Sequence, residues 1–389
     1  MSQASPYNDM EQRIGRDDGN YDPWFLGVSV ILVGLGLIMV ASSSIPIASK
    51  NGFIDLYYFW RQLAALFLGI GIGTIIVYLP LTILDRLSSV FLFAGIALLA
   101  LILVPGIGHE VNGSLRWLRV GPLTVQASEP MKVAVIIYVS SYLVRHKLHV
   151  QTDFIGFIKP IGVMTVVAGL LLLEPDFGAT VVIFATTLGM LFLGRVPFVR
   201  FCCWGLVALA TLASLAMLAP YRMKRLMTFM DPWSDPFDTG FQLTQALIAF
   251  GRGEWLGVGL GNSIQKLFYL PEVHTDFLFA VIAEELGMIG TLFVIALFMF
   301  LVWRIMFIGS LAHRRGLEFA AYLSYGIALI IGIEAFINIG VNMGLLPTKG
   351  LTLPLMSYGS NSLVTVCIML ALVSRVVKET RAAAHAPNK

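Results

Sequence analysis

The sequence predicts an all-α integral membrane protein, a bundle of about ten transmembrane helices with one long extracytoplasmic loop between spans seven and eight. Three observations predict it. Hydrophobic residues make up 57% of the 389 residues and charged residues only 13%, with a mean hydropathy of +0.83. A soluble domain carries roughly 25% charged residues, so this chain has too few to cover a surface facing water. Apolar stretches of about 18 residues or more recur along it, each long enough to cross a ~30 Å hydrocarbon core, whereas the ~10-residue alternating segments of a membrane β-barrel are absent.

Spans are expected near residues 24–45, 60–79, 84–105, 131–147, 157–174, 177–194, 198–219, 276–303, 319–345 and 354–376. An even number puts both termini on one side. The loops and tails on that side hold fifteen of the 26 Lys and Arg residues; of the other eleven, five sit in the single long loop. Long loops count little toward the positive-inside rule, so both termini are expected in the cytoplasm and residues 220–275 outside. The expected organisation is a polar cytoplasmic tail over 1–23, one membrane domain over 24–378 and a second tail over 379–389. The first tail is polar and of mixed charge, unlike a cleavable signal, so span one is expected to remain as an anchor. The net charge of +3 follows from the inside bias and does not imply a nucleic-acid partner. Three cysteines make no disulfide framework; Cys202, Cys203 and Cys367 read as small apolar packing residues. Glycines inside spans, among them Gly34, Gly36, Gly69, Gly71 and Gly73, read as close helix contacts.

Two external segments are unlike ordinary connections. Residues 112–128, NGSLRWLRVGPLTVQAS, alternate Leu115, Trp117, Leu118 and Val120 with Arg116 and Arg119, which suits an amphipathic piece in the headgroup layer or a plain interface anchor. The loop over 220–275 is far longer than a helix connection needs, and its aromatics Trp233, Phe241, Trp255, Phe268 and Tyr269 argue for order. Within it, Gly257, Gly259 and Gly261 lack the strand–turn–helix setting of a dinucleotide loop and read as a glycine-rich turn. Asp231, Asp235 and Asp238 do not keep calcium-loop spacing; Pro232 and Pro236 mark Asp-Pro turns instead.

The densest chemistry is PEVHTDFLFAVIAEELG, with Glu272, His274, Asp276, Glu284 and Glu285 at the mouth of span eight. On one continuous helix Asp276 and Glu284, eight residues apart, would share a face. Carboxylates in a membrane span are costly and face a cavity or a partner. The residues alone leave Asp276 open between a helix N-cap and a functional group, and point to buried partners for Glu284 and Glu285. Glu334, Asn338 and Asn342, spaced by four, form a polar stripe suited to interhelical bonding. Glu129 and Lys132 open span four, Glu174 and Asp176 bracket Pro175 in a short turn, and Lys349 precedes span ten.

Taken in order, YRMKRLMTFMDPWSDPFDTGFQLTQALIAFGRG, QKLFYLPEVHTDFLFAVIAEELG and GLLPTKGLTLPLMSYGSNSL resemble the SEDS family (shape, elongation, division, sporulation), closer to its division branch than to its elongation branch. NGSLRWLRVGPLTVQASE and EPDFGAT fit too, so the resemblance covers residues 24–378. It implies a ten-span glycosyltransferase of the inner membrane that polymerises lipid II into peptidoglycan at the division septum. It also implies a class B penicillin-binding protein as cross-linking partner, and the division proteins FtsQ, FtsL, FtsB and FtsN as further membrane partners. The family's essential aspartate falls on Asp276, and Arg116, Glu129, Lys132, Glu272, His274, Lys349 and Ser357 match polar motif positions suited to substrate binding. No cofactor is implied; a divalent cation is an alternative to Arg or Lys for the departing pyrophosphate. The chain departs from the family at Ser360-Asn361, where a second glycine is usual, at Ala127, and at Glu254, where FGRGEW replaces FGRGGW. Two other functions remain open on the sequence: a lipid II flippase using the intramembrane acids, and a non-catalytic scaffold for the cross-linking enzyme.

Overall fold

Asp22 and Pro23 set the first helix. The Asp22 carboxylate accepts from the Phe25 N–H at 3.0 Å while Pro23 occupies the first turn, where its missing N–H costs nothing. The computed structural model describes residues 21–111, 114–121, 123–217, 223, 227–238, 240–270, 273–348 and 350–385. Its helices are α1 (Pro23–Lys50), α2 (Tyr57–Tyr78), α3 (Leu81–Arg86), α4 (Ser88–Ile102), α5 (Ser128–Arg145), α6 (Lys147–Thr152), α7 (Phe154–Leu173), α8 (Phe177–Leu193), α9 (Phe198–Met217), α10 (Phe241–Gly253), α11 (Leu278–Arg314), α12 (Glu318–Asn342) and α13 (Ser360–His385). Of these, α1, α2, α7, α11, α12 and α13 are long and apolar enough to cross a membrane, and α4, α8 and the first half of α9 are shorter apolar helices. The result is a helical membrane fold. Its centre is α12, packed against α11, α8, α5 and α13, while α2 turns Phe67, Ile70 and Ile75 outward, as only a bilayer tolerates.

Small residues set the closest contacts. A Cβ on Gly69 would come 2.9 Å from Cys367 Cβ, one on Gly73 would come 3.2 Å from Ala371 Cβ, and one on Gly36 would come 2.5 Å from Met356 Cα. Gly34 and Gly71 face no neighbour within 4 Å, so the packing expectation holds for three of these five. Cys203 is exposed rather than packed.

Three features differ from the sequence expectation. Residues 108–126 form a three-stranded antiparallel sheet, β1 (Gly108–Val111), β2 (Ser114–Val120) and β3 (Leu123–Gln126), paired in that order with Trp117 opposite His109 and Gln126. Alternating apolar and basic residues are equally a strand pattern. Span ten starts later than expected, at Ser360, because Leu351, Leu353, Leu355 and Met356 bury themselves as a non-helical segment against the bundle. Span eight is broken. Gly287 has φ +66°, and the glycine-rich turn docks into the gap: Val258 N–H donates to Glu284 O at 2.9 Å, Gly259 N–H to Glu285 O at 3.1 Å, and Met288 N–H to Glu254 O at 2.8 Å. The orphan groups of a broken helix are thereby satisfied inside protein, as a bilayer requires.

Two of the departures from family sequence have a backbone reading. Neither Ser360 nor Asn361 takes a positive φ, so the helix start there needs no glycine. Glu254 does, at φ +44° and ψ −136°, with its side chain exposed. That region costs an L-residue on the order of 1 kcal/mol or more. Glu254→Gly is expected to raise stability by about 1 kcal/mol, less what glycine gains in the unfolded chain; a lower melting temperature for the variant would count against the strain.

Candidate active site

One end of the bundle gathers the polar residues. Asp276 lies in the turn before α11, not on the helix, whose N-cap is Phe277 with no side-chain cap. It therefore neither caps α11 nor shares a helix face with Glu284. Its backbone is clamped from α12: Asn338 Nδ2 and Asn342 Nδ2 each donate to the Asp276 carbonyl oxygen at 2.9 Å. Asn338 also donates to Leu351 O at 2.5 Å, and Asn342 Oδ1 accepts from Ala280 N–H at 3.1 Å, capping α11 from a neighbouring helix. The clamp holds the main chain, so the half-buried carboxyl group is positioned without being consumed by it. A Cβ on Gly350 would stand 3.0 Å from Asp276 Oδ2, so that glycine lets the backbone after Lys349 approach the carboxyl.

One turn below Asn338, Glu334 receives Lys132 Nζ at 2.5 Å, and the same ammonium reaches Glu129 Oε1 at 2.8 Å. All three are buried. Lys132 thus spends its charge on two carboxylates and ties α5 to α12 beside the Asp276 clamp.

The sheet stands over the next turn. Arg116 donates to Pro175 O at 2.5 Å and to Glu174 O at 3.3 Å. Gln126 and Ser128 both reach Asp176 Oδ2, at 3.4 and 3.1 Å, and Asp176 Oδ1 caps α8 through Ala179 N–H at 3.1 Å. Glu174 is fully buried and neither carboxyl oxygen has a partner. Its pKa is pushed up to about 8, first by burial and then by the Asp176 carboxylate, with the Arg116 guanidinium opposing. An acid that ionises less readily when folded binds more protons in the folded state, so stability falls as pH rises from the usual carboxylate range toward 8. Glu174→Gln, neutral throughout, is expected to flatten that fall. Melting temperatures from about pH 5 to about pH 9 check it, and an unchanged slope would exclude Glu174 as the source.

His274 is buried two residues before Asp276, and its carbonyl accepts from Tyr358 N–H at 2.8 Å. Ser357 is buried as well; its hydroxyl accepts from Leu353 N–H at 3.0 Å and its carbonyl from Gln62 Nε2 at 3.0 Å. Both hold the residue 350–358 segment in place. Glu272 and Lys349 lie outside the described residues. The deeper acids have the buried partners expected of them. Glu284 binds Arg252 Nη1 at 2.6 Å, the Ser263 hydroxyl and the N–H groups of Ile264 and Gln265. Glu285 binds Lys266 Nζ at 3.0 Å and Ser42 Oγ at 2.9 Å. Among the described residues no three His, Cys, Asp or Glu side chains assemble as metal ligands. A cavity of about 550 Å³, lined by His146, His149 and Lys159, lies at the other end of α5, away from this chemistry.

The comparisons with known proteins agree with one another. Residues 23–382 match the FtsW/RodA/SpoVE family of cell cycle proteins. The probable peptidoglycan glycosyltransferase FtsW of Nitrosococcus halophilus is 54% identical over 370 residues, 95% of each chain. Proteins of the same description from Hahella chejuensis and Legionella pneumophila are 51% identical over 91% of this chain and 89% of theirs, and 49% identical over 96% and 95%. Among solved structures, a chain from a peptidoglycan synthase complex that coordinates polymerization and crosslinking superposes with a TM-score of 0.76 at 29% identity, covering 92% of this chain and 98% of that one. The rod shape determining protein RodA of Thermus thermophilus gives 0.68 at 26%, covering 92% and 97%. On this match over almost its whole length, the chain belongs to the FtsW/RodA/SpoVE family of membrane-embedded cell cycle proteins.

Proposed function

We propose that this chain is a peptidoglycan glycosyltransferase that polymerises lipid II at the division septum, with Asp276 as general base. The observation that carries the reading is the double clamp from Asn338 and Asn342 on the Asp276 backbone, which fixes the position of one half-buried carboxyl group at one end of the membrane fold. Both termini are assigned to the cytoplasm, so that the Asp276 end faces the side where a lipid-linked disaccharide displays its headgroup.

The reaction needs few protein groups. The Asp276 carboxylate takes the proton of the attacking C4 hydroxyl as its oxygen bonds to the anomeric carbon of the donor. The bond from that carbon to the pyrophosphate breaks, and undecaprenyl pyrophosphate departs with the electron pair. An α-linked donor giving a β-linked glycan requires inversion, which one displacement with one base accomplishes. The proton then passes from Asp276 to water. Lys132 is assigned to positioning, because both of its neighbours are carboxylates; charge on the leaving group falls to Lys349 and to other basic groups at the rim, or to a cation carried by the pyrophosphate. A class B penicillin-binding protein is the proposed cross-linking partner, consistent with the synthase complex whose chain superposes on this one, and FtsQ, FtsL, FtsB and FtsN are proposed companions at the septum.

Purified protein reconstituted with labelled lipid II tests the reading. Polymer is expected when the cross-linking partner is present. Transfer of label between leaflets with no polymer would establish a flippase instead, and neither product in the presence of the partner would leave a scaffold. A flippase path is at odds with the Glu334–Asn338–Asn342 stripe, whose side chains are committed to interhelical bonds near one end of α12.

A further inference from the structure

The start of α2 carries a cluster at the Asp276 end that the mechanism leaves without a role. Tyr58 packs on His274 with ring centroids 4.7 Å apart and meets Tyr358 edge-on at 5.1 Å, while His274 and Tyr358 are 5.4 Å apart. Tyr57 stacks on Phe53 at 4.3 Å and meets Tyr58 at 5.3 Å. Gln62, one turn along, fixes the arrangement by donating to Ser357 O at 3.0 Å and accepting from Gly359 N–H at 3.2 Å. His274, two residues before Asp276, is buried, whereas Tyr57, Tyr58 and Tyr358 are half-buried. Arg61 is exposed beside them, its guanidinium 5.6 Å over the Tyr57 ring and hydrogen-bonded to the Tyr57 hydroxyl at 3.2 Å. Among the described residues, the ionisable groups acting on it are Tyr358, Tyr57 and Tyr58.

Packing alone requires neither three half-buried tyrosines at one helix end nor an exposed guanidinium that, among the described residues, has no carboxylate in ion-pair contact. The two together suit one kind of ligand. A pyranose offers an apolar C–H face that lies flat on an aromatic ring, and a guanidinium matches phosphate oxygens in bidentate fashion. Below Arg61 on the same face of α2, Leu68 and Ile75 are exposed and apolar, a track along which a lipid tail attached to the phosphate would descend into the bilayer.

We propose that Tyr57, Tyr58, Tyr358 and Arg61 form a binding subsite for a lipid-linked sugar pyrophosphate, the rings taking the sugar face and Arg61 the phosphate. The identity of the sugar rests on the proposed function; the existence of the subsite does not. The test therefore measures binding rather than turnover. Full-length Asp276→Asn protein in detergent is titrated with two probes, undecaprenyl-pyrophosphate disaccharide and undecaprenyl pyrophosphate without sugar. Adding Tyr58→Leu is expected to weaken the sugar-bearing probe about tenfold and leave the sugar-free probe unchanged, with Tyr58→Phe restoring affinity. Adding Arg61→Gln is expected to weaken both probes about tenfold. Arg61 is exposed, so that variant remains informative should Tyr58→Leu fold poorly. Parent-like affinity of Arg61→Gln for both probes would overturn the phosphate assignment, and equal losses of both probes in a folded Tyr58→Leu would overturn the sugar assignment. Polymerisation by Asp276→Asn would instead overturn the mechanism and leave these binding comparisons standing.

Discussion

Asp276→Asn is expected to abolish polymer formation while the protein still inserts, folds and binds lipid II. The substitution is nearly isosteric and keeps the main-chain carbonyl that Asn338 and Asn342 hold at 2.9 Å, so the turn before α11 stays anchored. What is lost is the ability to accept a proton. A positioned general base contributes roughly 10²–10⁴-fold to a rate, and an amide supplies almost none of it. Glycan polymer resolved on gels from purified protein and lipid II checks the outcome, with melting temperature measured alongside. Polymerisation near the parent rate, with the fold intact, would remove Asp276 from the chemistry. Asp276→Glu gives an intermediate case: it keeps the base but pushes it toward Gly350, where the backbone already stands close enough that an added Cβ would lie 3.0 Å from the carboxylate.

The membrane class was legible because apolar content is additive: each span announces itself whatever its neighbours do. The break in span eight was not. It depends on the sign of one φ angle at Gly287 and on carbonyls and N–H groups received from residues 254–259, some thirty positions earlier in the chain. Asp276 is a candidate only through its motif, and the idea that it shares a helix face with Glu284 failed because helical spacing says nothing about where a helix starts. The asparagine stripe on α12 was visible as a pattern, but its partner, a backbone carbonyl, leaves no trace in side-chain identity. Likewise nothing in the sequence links Tyr58 to His274 and Tyr358, more than 200 residues away; the Gln62 bonds that join them appear only once the helices are packed. Glu254 is the converse case, a departure from family pattern in the sequence whose cost, a φ of +44°, only the backbone displays.

Lys132→Met is expected to be the most destabilising single change near the site. The methionine fills most of the volume but leaves Glu129 and Glu334 buried with no cation, where Lys132 Nζ had stood at 2.8 and 2.5 Å. Removing one partner from a buried ionic cluster costs roughly 3–5 kcal/mol, because the remaining charges cannot return to water. The loss also reaches the chemistry. Glu334 lies one turn from Asn338 on α12, so a shift of α5 against α12 disturbs the clamp on Asp276 and polymer yield falls with stability. Combining Lys132→Met with Glu129→Gln and Glu334→Gln removes the stranded charges and is expected to recover most of the melting temperature, since an apolar or neutral replacement of a whole buried cluster is often nearly neutral. Thermal unfolding of the single and triple variants in the same detergent separates the two effects. A single variant that melts with the parent would mean that water reaches these acids, and that the cluster is neither dry nor holding the helices together.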